Sequence, residues 1–233
     1  MVKKFFKWIF LTLIFLGVLL TVTFFVLDEK LPEGIEGEEA DRLALKIQEN
    51  LYYDAFKKTA IIEWSFPGEH HYIWNKKEEN VIVKWGGNKV SLDLKQKEKS
   101  EVLSPSGALA QKEKSELINK AIDYFNNDSF WLIAPFKLFD TGVTRKLVNL
   151  KDGNKGLLIT YTKGGSTPGD SYLWRIDENG RPVNFKMWVS IIPIGGLEAS
   201  WDEWKKTKTG ILLATSHKIL FFNLKIDNLE TYN

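Results

Sequence analysis

The chain of 233 residues contains no cysteine. This absence excludes disulfide bonds, thiolate metal sites, a cysteine nucleophile and a lipid-modified cysteine. Arginine is also scarce, since only four of the 32 basic residues are arginine. Because arginine supplies the forked contacts to phosphate and guanine, its scarcity argues against a nucleic-acid-binding protein.

Net charge gives no sign of a nucleic-acid partner either. Lys3, Lys4 and Lys7 precede residue 28, where no acidic residue occurs, and the rest of the chain carries 29 basic and 30 acidic groups. A protein that binds a phosphate backbone concentrates positive charge on its surface. We therefore expect no nucleic acid among the partners.

Charge is absent from one long apolar run, Trp8–Leu27, which lysines precede and Asp28 and Glu29 follow. Twenty residues at 1.5 Å per residue span about 30 Å, the thickness of a hydrocarbon core. The sequence thus predicts a single-pass transmembrane anchor at residues 1–27, in the inner (cytoplasmic) membrane. By the positive-inside rule the N-terminus is cytoplasmic and the remainder is extracytoplasmic, or periplasmic. A cleaved signal peptide and a buried soluble helix are the alternatives.

Residues 28–37 are acidic and contain glycine, which predicts a short linker before one extracytoplasmic domain at residues 38–233. Apolar residues at three- and four-residue steps predict amphipathic helices over Glu38–Lys58 and Ser106–Phe125. Between Asn126 and Asp140 the chain is apolar but interrupted by Pro135, which indicates an irregular apolar plug rather than a regular helix.

Apolar and polar residues alternate through most of the remaining chain, as in antiparallel strands. We expect about eleven strands, at Ala60–Phe66, His70–Asn75, Val81–Trp85, Val90–Leu94, Val143–Leu150, Leu157–Thr162, Tyr172–Asp177, Val183–Val189, Ala199–Trp204, Ile211–Lys218 and Phe221–Ile226. The predicted fold class is α+β: a curved antiparallel sheet, or incomplete β-barrel, covered by two helices and the plug, and preceded by the transmembrane helix.

One face of this predicted sheet is unusually aromatic. Eight tryptophans lie beyond residue 27, and each aromatic side chain can bury about 150–250 Å². We expect the plug either to complete a solid core or to form a movable rim over an apolar cavity. The candidate ligand-binding residues are Trp64, Trp74, Trp85, Phe130, Trp131, Phe136 and Trp174.

Catalytic and metal-binding patterns are weak. His70 and His71 point to opposite faces of a strand, so a metal site would need His71, His217 and a carboxylate together. GGSTPGD at residues 164–170 fails the G-x-S-x-G pattern at Pro168, and it fits a turn that Asp170 stabilises. Asp202 between two tryptophans raises a sugar-binding hypothesis that strand alternation disfavours. We expect no enzyme activity, no catalytic or metal-ligating residue and no cofactor.

Three segments carry a resemblance to a known family: FNNDSFWLIAPFKLFDTGVTRKLV, TPGDSYLWRID and WDEWKKTKTGILLATSHK. With the order helix, meander, helix, plug and longer meander, they resemble an uncharacterised family of exported bacterial domains with the fold of the lipoprotein-localisation carriers. The similarity covers about residues 60 to 226. In those carriers an incomplete barrel holds acyl chains, so the resemblance implies an apolar ligand. A tethered chain could not shuttle freely, and we match no carrier arginine to this sequence.

The functional hypothesis is a membrane-anchored extracytoplasmic domain that binds a lipid, an acyl chain (including that of a lipoprotein) or another apolar ligand. The alternative is a structural or protein-interaction module of the cell envelope with a solid core. An enzyme is the third possibility.

Overall fold

The computed structural model describes residues 2–107 and 109–233, without the side chains of residues 2, 3, 18–23 and 25. Its helices are α1 (Val2–Leu27), α2 (Glu38–Asn50), α3 (Tyr53–Lys58) and α4 (Gln111–Ile133). Its strands are β1 (Ile61–Phe66), β2 (His70–Asn75), β3 (Asn80–Trp85), β4 (Asn88–Asp93), β5 (Glu101–Ser104), β6 (Val143–Asn149), β7 (Lys155–Tyr161), β8 (Ser171–Ile176), β9 (Pro182–Trp188), β10 (Leu197–Ser200), β11 (Asp202–Lys206), β12 (Leu212–Ile219), β13 (Phe222–Lys225) and β14 (Asp227–Tyr232).

These strands form two antiparallel sheets. Sheet one has the order β14-β1-β2-β3-β4-β5, and sheet two has the order β11-β12-β10-β9-β8-β7-β6, with β13 also paired to β12. The chain crosses from sheet two to sheet one at Ile226, whose backbone N–H donates to the Thr215 carbonyl at 2.9 Å. Within the described residues neither sheet closes into a barrel.

The predicted single curved sheet of about eleven strands is therefore wrong. Alternation located most strands correctly, and β2 has the predicted bounds. It missed β5 and β14, which are short or largely polar, and it merged β10 with β11 across Trp201. Local alternation shows where a strand lies but not which strands pair, and here pairing divides the strands between two sheets.

The predicted transmembrane helix is also corrected. Over the side chains that the structure describes, no helix combines the length and the apolar character needed to cross a membrane. Part of the predicted segment, at residues 18–23 and 25, lies outside those side chains. The fold class that remains is α+β with two antiparallel sheets and no supported membrane span.

Both predicted amphipathic helices have different ends in the structure. The first divides into α2 and α3 at Tyr52, which has a left-handed backbone conformation with φ of 60°. The second starts later, at Gln111, and continues to Ile133, where a 3₁₀ turn at Ala134–Phe136 follows. The first half of the predicted irregular plug is thus regular helix, because Pro135 ends the helix rather than preventing it.

Helix α4 lies between the two sheets and joins their aromatic faces. The Phe125 ring lies 6.2 Å from the ring of Trp64 in sheet one. One turn later, the rings of Phe130 and Tyr172 in sheet two are 4.4 Å apart, and those of Trp131 and Phe185 are 5.8 Å apart. Because aromatic pairs at these distances add to the burial of apolar surface, α4 fixes the two sheets against one core.

The segment after α1 is fastened to sheet two. The backbone N–H of Glu29 donates to the Gly195 carbonyl at 3.0 Å, and the Trp188 indole donates to the Glu29 carbonyl at 2.6 Å. The Lys186 ammonium pairs with the Glu29 carboxylate at 2.5 Å. Helix α1 therefore leaves the domain beside the β9–β10 loop.

Candidate functional site

An open cleft of about 970 Å³ lies between the C-terminal half of α4 and one end of sheet two. We call it the α4 cleft. Its apolar wall consists of Phe130, Trp131, Tyr161, Tyr172, Met187 and Val189. The wall combines two patterns: successive residues of α4, and residues of β7, β8 and β9 that point to the same face of sheet two. The cleft is thus a gap in the aromatic layer that joins α4 to sheet two.

Polar side chains form the rim of the α4 cleft, and most of them already have partners. The Ser166 hydroxyl donates to the Asp123 carboxylate at 2.9 Å and accepts from the Asn126 amide at 3.2 Å. The Lys137 ammonium pairs with Asp140 at 3.0 Å. Lys163 also lines the rim and is exposed. The β7–β8 loop is thereby held against α4, beside a cationic group that faces solvent.

Two tyrosines in the wall, Tyr161 and Tyr172, are uncharged near neutral pH. Burial raises the pKa of Tyr161 and of Tyr172 well above the ordinary value for a phenol. The Tyr161 hydroxyl donates to the Ala134 carbonyl at 3.4 Å. Because neither phenol ionises at neutral pH, these residues provide apolar ring surface and a hydroxyl dipole rather than a base.

A smaller side cavity of about 270 Å³ adjoins the α4 cleft and shares Trp74 and Lys137 with it. Lys76 lines this cavity, where its ammonium donates to the Phe56 carbonyl and lies 3.7 Å from the centroid of the Phe56 ring. Burial lowers the pKa of Lys76 to about 8. The side cavity thus adds a partly desolvated amine to the lining.

The structure brings together four of the seven predicted binding residues. Trp74, Phe130 and Trp131 line the α4 cleft, and Phe136 borders the side cavity, although its side chain is buried and also belongs to the hydrophobic core. The other three, Trp64, Trp85 and Trp174, lie in the hydrophobic core. Strand alternation placed these three tryptophans, like Trp74, on the aromatic face, but it did not distinguish the part of that face that packs from the part beside the gap.

Several lining residues were missing from the predicted set, although the sequence held a signal for some. Tyr172 and Trp174 are two residues apart in β8, as are Phe185 and Met187 in β9, so strand alternation places each pair on one face. Lys163 and Ser166 carried no such signal. They belong to a loop whose position is set by its contacts with α4.

One buried polar group links α4 to sheet one behind the cleft. The Asp128 carboxylate accepts hydrogen bonds from His70 Nδ1 at 2.7 Å, from the Tyr72 hydroxyl at 2.5 Å and from the Asn127 amide at 2.8 Å. Burial and the Asp128 charge raise the pKa of Tyr72. A buried carboxylate is unfavourable unless its hydrogen-bond donors stay in place. Because two of the donors belong to β2, this cluster fixes the position of α4 against sheet one.

The candidate metal residues do not meet. The His71 imidazole pairs with Glu63 at 3.0 Å in sheet one, whereas His217 is buried in sheet two beside Trp131. Among the residues described, no three His, Cys, Asp or Glu side chains are grouped so as to hold a metal ion.

The GGSTPGD segment forms the β7–β8 loop, as the turn interpretation predicted. Gly169 has φ of 104°, a conformation that favours glycine. Asp170 accepts hydrogen bonds from the Thr167 hydroxyl at 2.5 Å and from the Ser190 backbone N–H at 2.9 Å. Asp170 therefore stabilises the loop.

No family model and no curated protein matches the chain. Among solved structures, the chain is similar to the crystal structure of a DUF1329 family protein from Desulfovibrio piger, with 12% sequence identity and a TM-score of 0.40. The match covers 83% of this chain and 93% of that chain. The neighbour belongs to an uncharacterised bacterial family, and at this TM-score the similarity carries no argument about function.

Proposed function

We propose that the protein binds a lipid acyl chain, or a ligand of similar apolar character, in the α4 cleft. The observation that carries this proposal is the cleft itself: about 970 Å³ of space bounded on one side by aromatic and aliphatic side chains. Small-molecule sites have volumes of about 300–1,000 Å³ and combine mostly apolar walls with a few polar groups.

The arrangement of the lining favours an amphiphile over a purely apolar ligand. Phe130, Tyr172 and Met187 would contact the apolar part, while Lys163 at the exposed rim would face an acidic or polar headgroup. Transfer of each buried methylene from water contributes about 0.8 kcal/mol. Micromolar affinity corresponds to about 8 kcal/mol, which is the transfer free energy of about ten methylenes before the cost of immobilising the ligand is met. A long acyl chain therefore fits this proposal better than a short apolar ligand.

The resemblance of the sequence to the lipoprotein-localisation carriers supports the same proposal. Those carriers hold acyl chains, and this chain would use a comparable apolar surface beside a helix. The extracytoplasmic location stays a prediction. So does the absence of enzyme activity.

A matched pair of substitutions at the two ends of one strand tests the proposal. Val189, just after β9, is half-buried and lines the α4 cleft, whereas Val183 near the start of β9 is exposed. We expect Val189→Asp to weaken the binding of the fluorescent fatty acid cis-parinaric acid by about tenfold or more, because a carboxylate in the cleft must be desolvated. Val183→Asp carries the same charge and should leave the dissociation constant nearly unchanged.

Native mass spectrometry of the purified protein, before and after delipidation, provides a second readout. A co-purifying lipid that Val189→Asp fails to retain would support the proposal. Equal probe binding by both valine variants, or no binding by the wild type, would contradict it.

A structural module with a solid core is the second candidate, and one observation favours it. Trp64, Trp85 and Trp174 are packed in the core, so much of the predicted surplus of ring surface is already covered. Under this candidate the α4 cleft would hold only water, and no fatty acid would bind at any concentration below its solubility limit.

A further inference from the structure

The hairpin between β12 and β13 ends in an exposed apolar tip. Leu220, Phe221 and Phe222 expose 72%, 84% and 64% of their surface, and the rings of the two phenylalanines lie 4.3 Å apart. Leu220 occupies the left-handed region with φ of 52°, which costs a non-glycine residue conformational energy. We call Leu220–Phe222 the hairpin tip.

Three adjacent large apolar residues on a protruding turn are unfavourable in water. Single exposed apolar residues need no explanation, whereas a contiguous group marks an interaction site. The hairpin tip projects rather than forming a pocket, so it cannot enclose a small molecule. A partner of the hairpin tip must accommodate all three side chains at once. The interfacial region of a lipid bilayer does so, and it accommodates phenylalanine and leucine.

Strand pairing places the hairpin tip at the same end of sheet two as the mouth of the α4 cleft. Ala199 in β10 is opposite Ile219 in β12, so the β9–β10 loop that precedes β10 lies at the hairpin end. Ser171 is opposite both Trp188 and Thr160, which places the β7–β8 loop there as well. Both loops line the α4 cleft, through Ser166 and Ile191 among others.

The β9–β10 loop adds a second exposed apolar group to this end of the sheet. Ile191 exposes 70% of its surface. The loop is also where the segment after α1 is fastened, through Glu29 and Gly195. Two loops at this end of sheet two, the β12–β13 hairpin and the β9–β10 loop, therefore expose apolar side chains.

Charges at this end complement an anionic membrane. Lys30, Lys163 and Lys218 are exposed there. Two nearby carboxylates are already engaged: Asp28 accepts from the Gly195 backbone N–H at 2.8 Å, and Glu29 pairs with Lys186. Each lysine close to an anionic surface contributes about 1 kcal/mol of attraction.

We propose that this end of sheet two docks onto the surface of a lipid bilayer, with the side chains of the hairpin tip inserted at the level of the headgroups and Lys218 facing lipid phosphates. This docking does not depend on ligand binding in the α4 cleft. If both occur, an acyl chain would have a short path between the bilayer and the cleft, since the same loops border both.

The chain has no cysteine, so a single introduced thiol can be labelled selectively. The test uses the full chain carrying Phe221→Cys labelled with an environment-sensitive nitrobenzoxadiazole dye. The control is Lys151→Cys, in the β6–β7 turn at the opposite end of sheet two, where Asn149 pairs with Lys155. Vesicles contain phosphatidylcholine alone, or phosphatidylcholine and phosphatidylglycerol in equal parts.

We expect the dye at position 221 to shift to the blue and brighten by about twofold or more on anionic vesicles, as an inserted dye leaves water. Nitroxide-labelled lipid should quench it. Added salt should reduce the effect, because salt screens the lysines. The dye at position 151 should not respond.

A local probe is needed because α1 also exposes large apolar side chains, including Phe5 and Trp8, and could bring the whole chain to vesicles by itself. Co-sedimentation with an unchanged spectrum at position 221 would overturn the proposal, and so would the absence of vesicle binding. A blue shift that appears without vesicles and grows with protein concentration would instead show that a second copy of the chain covers the tip.

Discussion

His217 gives a quantitative prediction about stability and pH. Its side chain is fully buried in β12, and its Nδ1–H donates to the Ser200 carbonyl at 2.9 Å. Nε2 has no hydrogen-bond partner among the described residues. Burial lowers the pKa of His217 to about 4 from an ordinary 6.5.

The sign of the effect follows from proton binding in the two states. Above pH 6.5 the ring is neutral whether the chain is folded or unfolded, so it contributes no pH dependence. Between pH 6.5 and about 4 the unfolded chain takes up a proton that the folded chain refuses, and stability falls with falling pH. At 1.36 kcal/mol per pKa unit, the shift amounts to about 3 kcal/mol by pH 4.

The perturbation is His217→Asn, because the asparagine amide can still donate to the Ser200 carbonyl but cannot titrate in this range. The variant leaves a cavity and should be less stable than the wild type at neutral pH. Between neutral pH and pH 4, we expect the unfolding free energy of the wild type to fall by about 3 kcal/mol more than that of His217→Asn. The lower stability of the variant at neutral pH should therefore shrink or reverse at pH 4.

Urea unfolding followed by tryptophan fluorescence, repeated across this pH range, measures the effect. Leu213→Val, a fully buried change on the same strand, removes volume without removing a titrating group and should lower stability equally at every pH. Parallel pH curves for wild type and His217→Asn would refute the reasoning.

Three further predictions concern packing. Trp174→Ala should lower the free energy of unfolding by about 3–5 kcal/mol in urea titrations and leave cis-parinaric acid binding to the folded protein unchanged, because the indole is in the core and not beside the cleft. Tyr72→Phe should cost about 1–3 kcal/mol in the same assay, because buried Asp128 loses a donor at 2.5 Å; an unchanged midpoint would contradict that role. Gly195→Ala should release the segment after α1, because the added Cβ would lie 2.6 Å from a backbone oxygen of that segment. The release should appear as faster hydrogen exchange at residues 28–30. Gly107→Ala, where the added Cβ would have open space around it, is the control.

Sequence patterns predicted the strands well where alternation was strong. In β3 the buried residues alternate at Val81, Val83 and Trp85, and the predicted strand Val81–Trp85 differs from β3 by one residue. The segment DNLETY of β14 has little alternation, and its partner in β1 is distant in the chain, with Ile61 opposite Tyr232. Such a pairing depends on contacts between distant residues, so local pattern could not predict the division into two sheets.

The extent of α4 shows a similar limit. Asn126 and Asn127 are favourable at a helix end, and the sequence therefore predicted an end at Phe125. In the fold, Asp128 lies inside the helix because His70 and Tyr72 donate to its carboxylate. Tertiary contacts thus outweigh the local preference of these residues, which is a weak term by comparison.

The candidate site was predictable in composition but not in place. The sequence indicated an aromatic face, and the structure places Phe130 and Trp131 beside the α4 cleft. That these residues bind a ligand stays a prediction. Whether a given ring packs or borders a gap depends on the position of α4 between the sheets. Trp64 and Trp74 both lie on the aromatic face, yet only Trp74 borders the α4 cleft.

The most direct test of the central claim is photo-cross-linking of the full chain with a palmitate analogue that carries a diazirine at mid-chain, followed by peptide mapping. We predict adducts within α4 around Phe130 and at the end of β9 around Met187, which excess palmitate removes by competition. Adducts confined to α1 or the hairpin tip, or no adduct that palmitate displaces, would contradict binding in the α4 cleft.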